Sequence, residues 1–250
     1  MGWKAGEMTG EQGRTADGDV PVPPWRKRRR TTPPRRPLSA ELIVDTALRV
    51  LRAEGLDGVS MRRVAQELDT GPASLYAHVS NKEELLELML DRIASGIRLP
   101  EPDPARWQEQ IKEVARESRR VWTSYADISR VSLGNVPTGP HLLAIAEWHL
   151  ALMRAAGVPD EIAAIFVDRL ALYVDADALE GSIYLARVKE GWDVETYFGR
   201  LRDYFTGLPA DRFPTIVSVV DRLMAPDDDE RFEFGLDLLV RGLASYVVEG

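Results

Sequence analysis

Few side chains in this sequence have the types and the spacing that acid–base or metal chemistry requires. Its three histidines are His78, His141 and His149, and a helix would place the last two roughly on one face. Asp175 and Asp177 stand together in an apolar stretch, LALYVDADALEG. Carboxylates two residues apart on a helix point about 200° apart and cannot converge on one atom. We therefore expect one to face a cavity or an interface and the other to face solvent.

Several classes of function are disfavoured by what the sequence lacks. HExxH, GxSxG, P-loop and GxGxxG motifs do not occur in a suitable context, so we predict no catalytic residues and no enzyme. The chain has no cysteine, which excludes disulfides, zinc fingers and cysteine nucleophiles, and we expect no cofactor. No segment approaches about 18 uninterrupted apolar residues, as a membrane span requires. The polar N-terminus does not resemble a signal peptide, so we predict a cytoplasmic protein.

Residues 60–82, SMRRVAQELDTGPASLYAHVSNK, have the layout of a helix-turn-helix, which places one helix in the major groove of DNA. Ser60 is a good N-cap for the first helix. The turn is expected at 69–71, because Asp and Gly accept backbone angles that other residues avoid. Pro72 suits the first position of the second helix, where its missing N–H costs nothing.

The second helix is predicted over 72–78, with Leu75 and Val79 facing inward at i, i+4 spacing. Five residues remain around its surface: Ala73, Ser74, Tyr76, Ala77 and His78. Residues 81–84, Asn-Lys-Glu-Glu, form a capping box that opens a long amphipathic helix. An ordinary helical hairpin is the alternative, but a helix as short as 72–78 packs little core by itself.

A bracing helix is predicted upstream over 38–56, capped by Ser39 and ended by Gly55. The stretch LSAELIVDTALRVLRAEGLDGVSMRRVAQELDTGPASLYAHVSNKEELLELMLDRI resembles the DNA-binding domain of the TetR family of transcriptional regulators and carries its specific LYxHVxNKxxLL signature. Near the C-terminus, FPTIVSVVDRL and RFEFGLDLLVRGL resemble the last helices of the tetracycline-repressor branch. Asp69 stands where the family usually has glycine, and an aspartate can hold the same turn.

This resemblance implies which residues contact DNA. Arg62 is the only long cationic side chain near the surface that the resemblance places at the groove, and we expect it to read a guanine. Two residues offer methyl contacts only: Ala73 and Ala77. The remaining polar side chains are expected mainly to hold phosphates: Ser74, Tyr76, His78 and Lys82. We call these seven residues the recognition surface.

Charge and the resemblance divide the chain into a basic arm (1–37), a helix-turn-helix domain (38–96) and a larger domain (97–250) for ligand binding and dimerisation. The arm carries nine basic and four acidic residues, whereas residues 83–250 carry 18 basic and 30 acidic ones. Its segment WRKRRRTTPPRR could lie along phosphates or enter the minor groove. It could equally be a solvated tail without a defined contact.

Helical patterns continue through the larger domain, which predicts an all-α fold without strands. Helices are expected over 104–124, 141–157, 159–188, 193–206, 213–224 and 229–248, with a short helix and a loop in 125–140. The last helix is apolar on more than one side and should be buried on more than one side. The resemblance implies that it and the 159–188 helix form a homodimer interface. Burial within one subunit is the alternative.

A pocket for a small organic effector is expected in this domain, because aromatic and amphipathic side chains are frequent there. The candidate ligand-binding residues are Trp122, Asn135, Trp148, His149 and Asp175. Ser132 stands where the tetracycline-repressor branch resembled here has a metal-ligating histidine, so we expect no metal. The expected effector is an aromatic or polycyclic molecule with little or no charge.

The sequence thus predicts a repressor that binds a palindromic double-stranded DNA operator as a homodimer and is released by a small organic molecule. A DNA-binding activator or a ligand-independent regulator is the alternative within DNA binding. A helical interaction module or an enzyme is the alternative outside it.

Overall fold

The computed structural model describes residues 37–125, 127–134, 136, 138–224 and 228–247. All regular secondary structure in these ranges is helical, which confirms the all-α prediction. None of the described helices is long and apolar enough to cross a membrane. Residues 1–36, which make up nearly all of the basic arm, and Asn135 lie outside the described ranges, so the predictions about them stay predictions.

The N-terminal part contains four helices: α1 (Ala40–Glu54), α2 (Met61–Glu67), α3 (Pro72–Leu75) and α4 (Lys82–Ala94). Three of them begin at a residue whose side chain accepts a hydrogen bond from the backbone amide three residues on: Ser39, Ser60 and Asn81. These caps satisfy amides that a helix N-terminus leaves unpaired. The predicted starts of α1, α2 and α4 are therefore confirmed.

The turn between α2 and α3 depends on Asp69, which has a left-handed φ of +51°. Gly71, in contrast, has φ −83° and ψ 147°, a conformation open to any residue. The α-helical part of α3 ends at Leu75, three residues before the predicted end at 78. The Leu75 carbonyl accepts from the amides of both His78 and Val79, which tightens the chain so that Leu75 and Val79 are both buried.

The next four helices are α5 (Trp107–Thr123), α6 (Ser129–Ser132), α7 (Pro140–Ala155) and α8 (Asp160–Lys189). Gly157, with φ +85°, makes the turn from α7 to α8, where an L side chain would be strained. The long α8 packs against α5, α6 and α7. Helix α4 packs against α1 on one side and against α5, α6 and α7 on the other, so it joins the helix-turn-helix to the rest of the core.

The last four helices are α9 (Val194–Thr206), α10 (Pro214–Ser218), α11 (Val220–Leu223) and α12 (Asp228–Ala244). The single helix predicted over 213–224 is wrong, because the chain leaves helical geometry at Val219, with φ −117°. Four β-branched residues lie in 216–220, and their restricted side chains favour helix less than straight ones do. Helix α12 packs on α5 and α8 through Phe232, Leu236, Val240 and Leu243, all buried.

Candidate functional site

The recognition surface is solvent-exposed in the structure. Leu75 and Val79 are 0% and 1% exposed and anchor the second half of the motif to the core. Every residue of the recognition surface is exposed: Arg62, Ala73, Ser74, Tyr76, Ala77, His78 and Lys82. Tyr76 keeps about half of its surface in solvent (52%). The short helix is therefore anchored by its buried residues, and its small and polar side chains point outward.

Two neighbouring arginines on α2 differ in what holds them. The Arg63 guanidinium lies 2.8 Å from Glu54 and 2.9 Å from Glu67, and these carboxylates raise its pKa above its ordinary value. Arg62 forms no hydrogen bond or ion pair with any described residue and is exposed. Because its guanidinium N–H groups have no acceptor among the described residues, Arg62 is the cation of this helix that is free to bind an external acceptor.

The start of α4 is fixed by a reciprocal pair of capping bonds. The Asn81 side chain accepts from the Glu84 amide at 2.7 Å, and the Glu84 carboxylate accepts from the Ser80 amide at 2.5 Å. The bond to Ser80 lowers the pKa of Glu84. The return bond thus reaches one residue further back than in the usual capping box, and it secures the backbone next to Lys82.

A single helix connects this surface to a cavity in the larger part of the molecule. Leu90 of α4 lines a cavity of about 330 Å³, and the neighbouring Asp91 is buried. The Asp91 carboxylate accepts hydrogen bonds from the amides of His141 and Leu142, at 2.9 and 3.1 Å, and lies 2.7 Å from Nδ1 of His141. Asp91 therefore caps α7 from another helix, since Gly139 before α7 has no side chain to do so.

Gly139 leaves the space that this cap needs. A Cβ atom placed at residue 139 would collide with the Asp91 carboxyl group. Sequence reasoning did not single out Asp91. Two signals were available: a carboxylate among the apolar positions of α4, and a helix that starts at Gly-Pro without a capping side chain. Neither signal identifies the other as its partner, because 50 residues separate them.

The cavity lies among α4, α5, α6, α7 and α8, and aliphatic side chains dominate its walls. Its volume is within the range of small-molecule pockets, roughly 300–1,000 Å³. Of the predicted ligand-binding residues, Trp122, His149 and Asp175 line it together. Lysine and arginine are absent from the residues found to line it, so the walls offer an anion no positive partner.

His149 is the histidine of α7 that faces this cavity. It is 5% exposed, and its Nδ1 lies 2.8 Å from the Ile145 carbonyl oxygen. Burial lowers the pKa of His149 to about 4, so the ring is neutral near pH 7. Its Nε2 is a buried atom without a hydrogen-bond partner among the described residues.

Asp175 is the second buried polar group of the cavity, at 4% exposure. Its carboxylate accepts a hydrogen bond of 2.6 Å from the Ser132 hydroxyl. Burial raises the pKa of Asp175 to about 6, and the bond from Ser132 opposes that rise. Ser132 thus holds a carboxylate at the place where the resemblance suggested a lost metal ligand.

With Asp175 at the cavity, the prediction left Asp177 to face solvent, and it does not. Its side chain is 17% exposed and pairs with Arg119, which also contacts Asp229 and stacks its guanidinium on the Phe232 ring. The prediction for Asp177 was wrong because α5 and α12 pack against that side of α8, which a helical wheel of α8 alone does not show. The expectation that one of the two aspartates faces a cavity or an interface is confirmed, and Asp175 is that residue.

Trp148 lies behind the cavity and is not among the residues that line it. Its indole N–H donates to the Pro100 carbonyl at 2.8 Å, and its ring meets the His149 ring edge-on, with centroids 5.0 Å apart. Trp148 therefore positions His149 and does not form a wall. Among the described residues, no group of three or more His, Asp or Glu could hold a metal ion.

Two family models match the chain. "Bacterial regulatory proteins, tetR family" matches residues 43–89, and "Tetracyclin repressor-like, C-terminal domain" matches residues 99–247. The chain is 30% identical over 230 residues to the HTH-type transcriptional repressor DrrR1 of Streptomyces coeruleorubidus, covering 89% of this chain and 83% of DrrR1.

Solved structures of ActR from Streptomyces coelicolor are similar in both sequence and fold. The apo structure is 42% identical, with a TM-score of 0.78, over 85% of this chain and 97% of ActR. The complex of ActR with actinorhodin is 43% identical, with a TM-score of 0.79, over 85% of this chain and 98% of ActR.

Proposed function

This chain belongs to the TetR family of transcriptional regulators, and we propose that it is a homodimeric repressor that leaves a palindromic operator when a small organic molecule fills its cavity. One observation carries the proposal. Helix α4 begins beside the recognition surface at Lys82 and lines the cavity with Leu90. A single rigid element thus touches both the region that would bind DNA and the region that would bind an effector.

Sequence-specific binding is supported by a division of roles among the residues of the recognition surface. The free guanidinium N–H groups of Arg62 suit the paired acceptors of a guanine in the major groove. Its neighbours offer hydroxyl, imidazole and ammonium groups for phosphates, which position the protein without reading sequence. Ala73 and Ala77 let the helix approach the bases closely and can contact a thymine methyl group.

Dimerisation is supported by apolar side chains that one subunit leaves in solvent. Phe234 and Leu238 of α12 are 65% and 56% exposed, and Ile165 of α8 is 63% exposed. Phe234 and Leu238 are four residues apart and lie on one face of α12, opposite the side that packs on α5 and α8. Exposed apolar patches of this kind mark interaction sites. A second copy would bury them and bring two recognition surfaces to two half-sites.

Coupling between ligand and DNA would run through α4 and its cap on α7. Leu90 lines the cavity, and Asp91 fixes the first turn of α7, which carries the cavity residue His149. A ligand that prefers a different placement of Leu90 must shift α4, and with it the backbone at Lys82. By thermodynamic linkage, this lowers DNA affinity by the same factor by which DNA lowers ligand affinity.

The proposal is tested by selecting binding sites from a random duplex pool with the full chain. A repressor dimer is expected to select an inverted repeat, and the Phe234→Glu Leu238→Glu variant is expected to be monomeric by light scattering and to lose that repeat. Tyr204→Glu is the matched control, since Tyr204 is 65% exposed on α9, outside the proposed interface. Selection of a single half-site or of no sequence would contradict the homodimeric repressor.

A further inference from the structure

The tautomer of His149 is fixed by its own helix. Nδ1 lies 2.8 Å from the Ile145 carbonyl oxygen, and a carbonyl oxygen can only accept a hydrogen bond. Nδ1 therefore carries the ring hydrogen, and Nε2 presents a lone pair. The partnerless Nε2 is thus a hydrogen-bond acceptor, and leaving such a buried acceptor unpaired is unfavourable.

Protonation of Nε2, which would turn it from an acceptor into a donor, does not occur near neutral pH. Burial in an apolar surrounding lowers the pKa of His149 to about 4, so the ring stays neutral and Nε2 stays an acceptor. The Trp148 indole packs edge-on against the ring, but its only N–H group already donates to the Pro100 carbonyl oxygen. Because His149 lines the cavity, a molecule bound there can supply the missing donor.

The other polar groups of the cavity restrict the charge of its occupant. Asp175 is buried and has the Ser132 hydroxyl as its hydrogen-bond donor. Asp168 also lines the cavity and pairs with Arg169 at 2.7 Å. With the buried carboxyl group of Asp175 and no cationic side chain among the residues found to line it, the cavity disfavours an anion, whose desolvation no positive charge there would offset.

We propose that the cavity selects a neutral aromatic molecule with a hydroxyl group, which donates a hydrogen bond to Nε2 of His149 while its ring packs on the apolar walls. This inference rests on the proposed function, because it names the chemical class of the effector of that site. A site built around a polar partner rejects the analogue that lacks it far more strongly than an apolar pocket rejects a missing methylene. The hydroxyl is thus the feature that decides affinity.

Three small probes test the need for a hydroxyl donor and for the absence of negative charge. 1-Naphthol can donate a hydrogen bond, 1-methoxynaphthalene cannot, and 1-naphthoate is anionic. Binding to the full chain without DNA is measured by isothermal titration, with tryptophan fluorescence as a second readout. Wild type is expected to bind 1-naphthol about ten- to a hundredfold more tightly than its methyl ether, the equivalent of one satisfied buried acceptor. It is expected to bind 1-naphthoate most weakly.

Two variants assign the preference to one atom. His149→Phe keeps a flat ring but removes the acceptor, so it should bind 1-naphthol and its methyl ether equally. His149→Gln keeps an acceptor oxygen and should retain part of the preference, which also guards against a misfolded Phe variant. Equal binding of the two probes by wild type, no binding of 1-naphthol, or a preference that survives in His149→Phe would each overturn the proposal.

Failure of this inference is distinguishable from failure of the proposed function. The probe measurements contain no DNA, whereas the operator selection contains no ligand. A hydroxyl preference that depends on His149 would stand even if the chain selected no palindrome. Conversely, a palindrome-binding dimer with no preference for 1-naphthol would leave the repressor intact and reject the hydroxyl as its recognition feature.

Discussion

The recognition surface and the cavity are built in opposite ways. The recognition surface comes from one short segment, 62–82, and all its members are exposed. The cavity collects residues from five helices, and its polar groups His149 and Asp175 are 5% and 4% exposed. The polar side chains of the recognition surface stay hydrated, so their free donors are not unfavourable. The buried polar groups of the cavity have lost their hydration, which is unfavourable until a ligand provides hydrogen bonds.

This difference determines how each region responds to change. Replacing an exposed side chain of the recognition surface removes contacts to a partner but leaves the fold alone, because water solvates what remains. Replacing a buried polar group of the cavity changes both binding and stability, since burial already shifts its protonation.

Arg62→Ala should weaken operator binding most. Loss of a bidentate guanine contact costs about 1–3 kcal/mol per half-site, so a two-fold dimer should lose about 2–6 kcal/mol and relax its preference at one base pair in each half-site. Gel-shift titration against the selected operator and its single-base variants measures both effects. The melting temperature should not change, because Arg62 has no partner among the described residues.

Arg63→Ala is the matched control for this prediction. Arg63 is held by Glu54 and Glu67, so its loss should reduce stability only slightly, because solvent screens partly exposed ion pairs. Base preference should be unaltered. If Arg62→Ala weakens binding to all sequences equally, Arg62 is a phosphate contact and reads no base.

The two buried titratable groups of the cavity should oppose one another in the pH dependence of stability. The pKa of Asp175 is raised to about 6 from 3.8, so its contribution is present at low pH and is lost as pH rises to about 6. The pKa of His149 is lowered to about 4 from 6.5, so its contribution is present above pH 6.5 and is lost as pH falls to about 4. In wild type the two slopes should nearly cancel.

Each single variant should reveal the slope of the group that remains. Asp175→Asn should become less stable, relative to wild type, as pH falls from about 6.5 to 4, by about 3 kcal/mol. His149→Phe should show the opposite sign over about the same interval and a similar magnitude. Urea denaturation across pH 4–7.5 measures both, and the other carboxylates cancel in the difference from wild type. Parallel profiles for the two variants would show that neither group titrates as its burial implies.

Asp91→Ala should have a smaller effect on stability and a specific effect on coupling. It removes the acceptor of the His141 and Leu142 amides, which should cost about 2 kcal/mol and lower the melting temperature by roughly 4–8 °C for a chain of this size. Operator affinity without effector should persist. The loss of affinity on adding 1-naphthol should shrink, since α4 no longer holds α7.

Asp45→Ala provides the control for Asp91→Ala. Asp45 pairs with Arg92 at 3.4 Å across the exposed side of α4, and both side chains are about half exposed. Its loss should cost no more than about 1 kcal/mol and leave the effect of 1-naphthol unaltered. Equal effects of the two variants would mean that the α4–α7 contact has no special part in coupling.

The helix-turn-helix was predictable because its causes are local. Ser60, Asp69 and Asn81 act through backbone groups within a few residues, and Leu75 and Val79 need only their spacing to mark the buried side. The family signature lies in this same segment. Only its details escaped: α3 is shorter than predicted, and the left-handed position belongs to Asp69 and not to Gly71.

The sequence predicted that the larger domain holds a cavity and two of the polar residues that lie in it, but not how those residues are hydrogen-bonded. His149 and Asp175 could be named as candidates from their types, but the partners that set their chemistry could not. Ser132 lies 43 residues from Asp175, and Asp91 lies 50 residues from His141. The sequence places Trp148 beside His149 without showing that its indole turns toward Pro100.

Interactions between residues close in the sequence account for most of the helices, their caps and the exposed set that would meet DNA, because hydrogen bonds to neighbouring backbone and helical periodicity act over a few residues. Packing between the helices sets which buried groups face the cavity, which acceptor is left without a donor and which helix end Asp91 caps. Those outcomes depend on desolvation and on distances between helices far apart in the chain, and neither quantity exists until the helices pack.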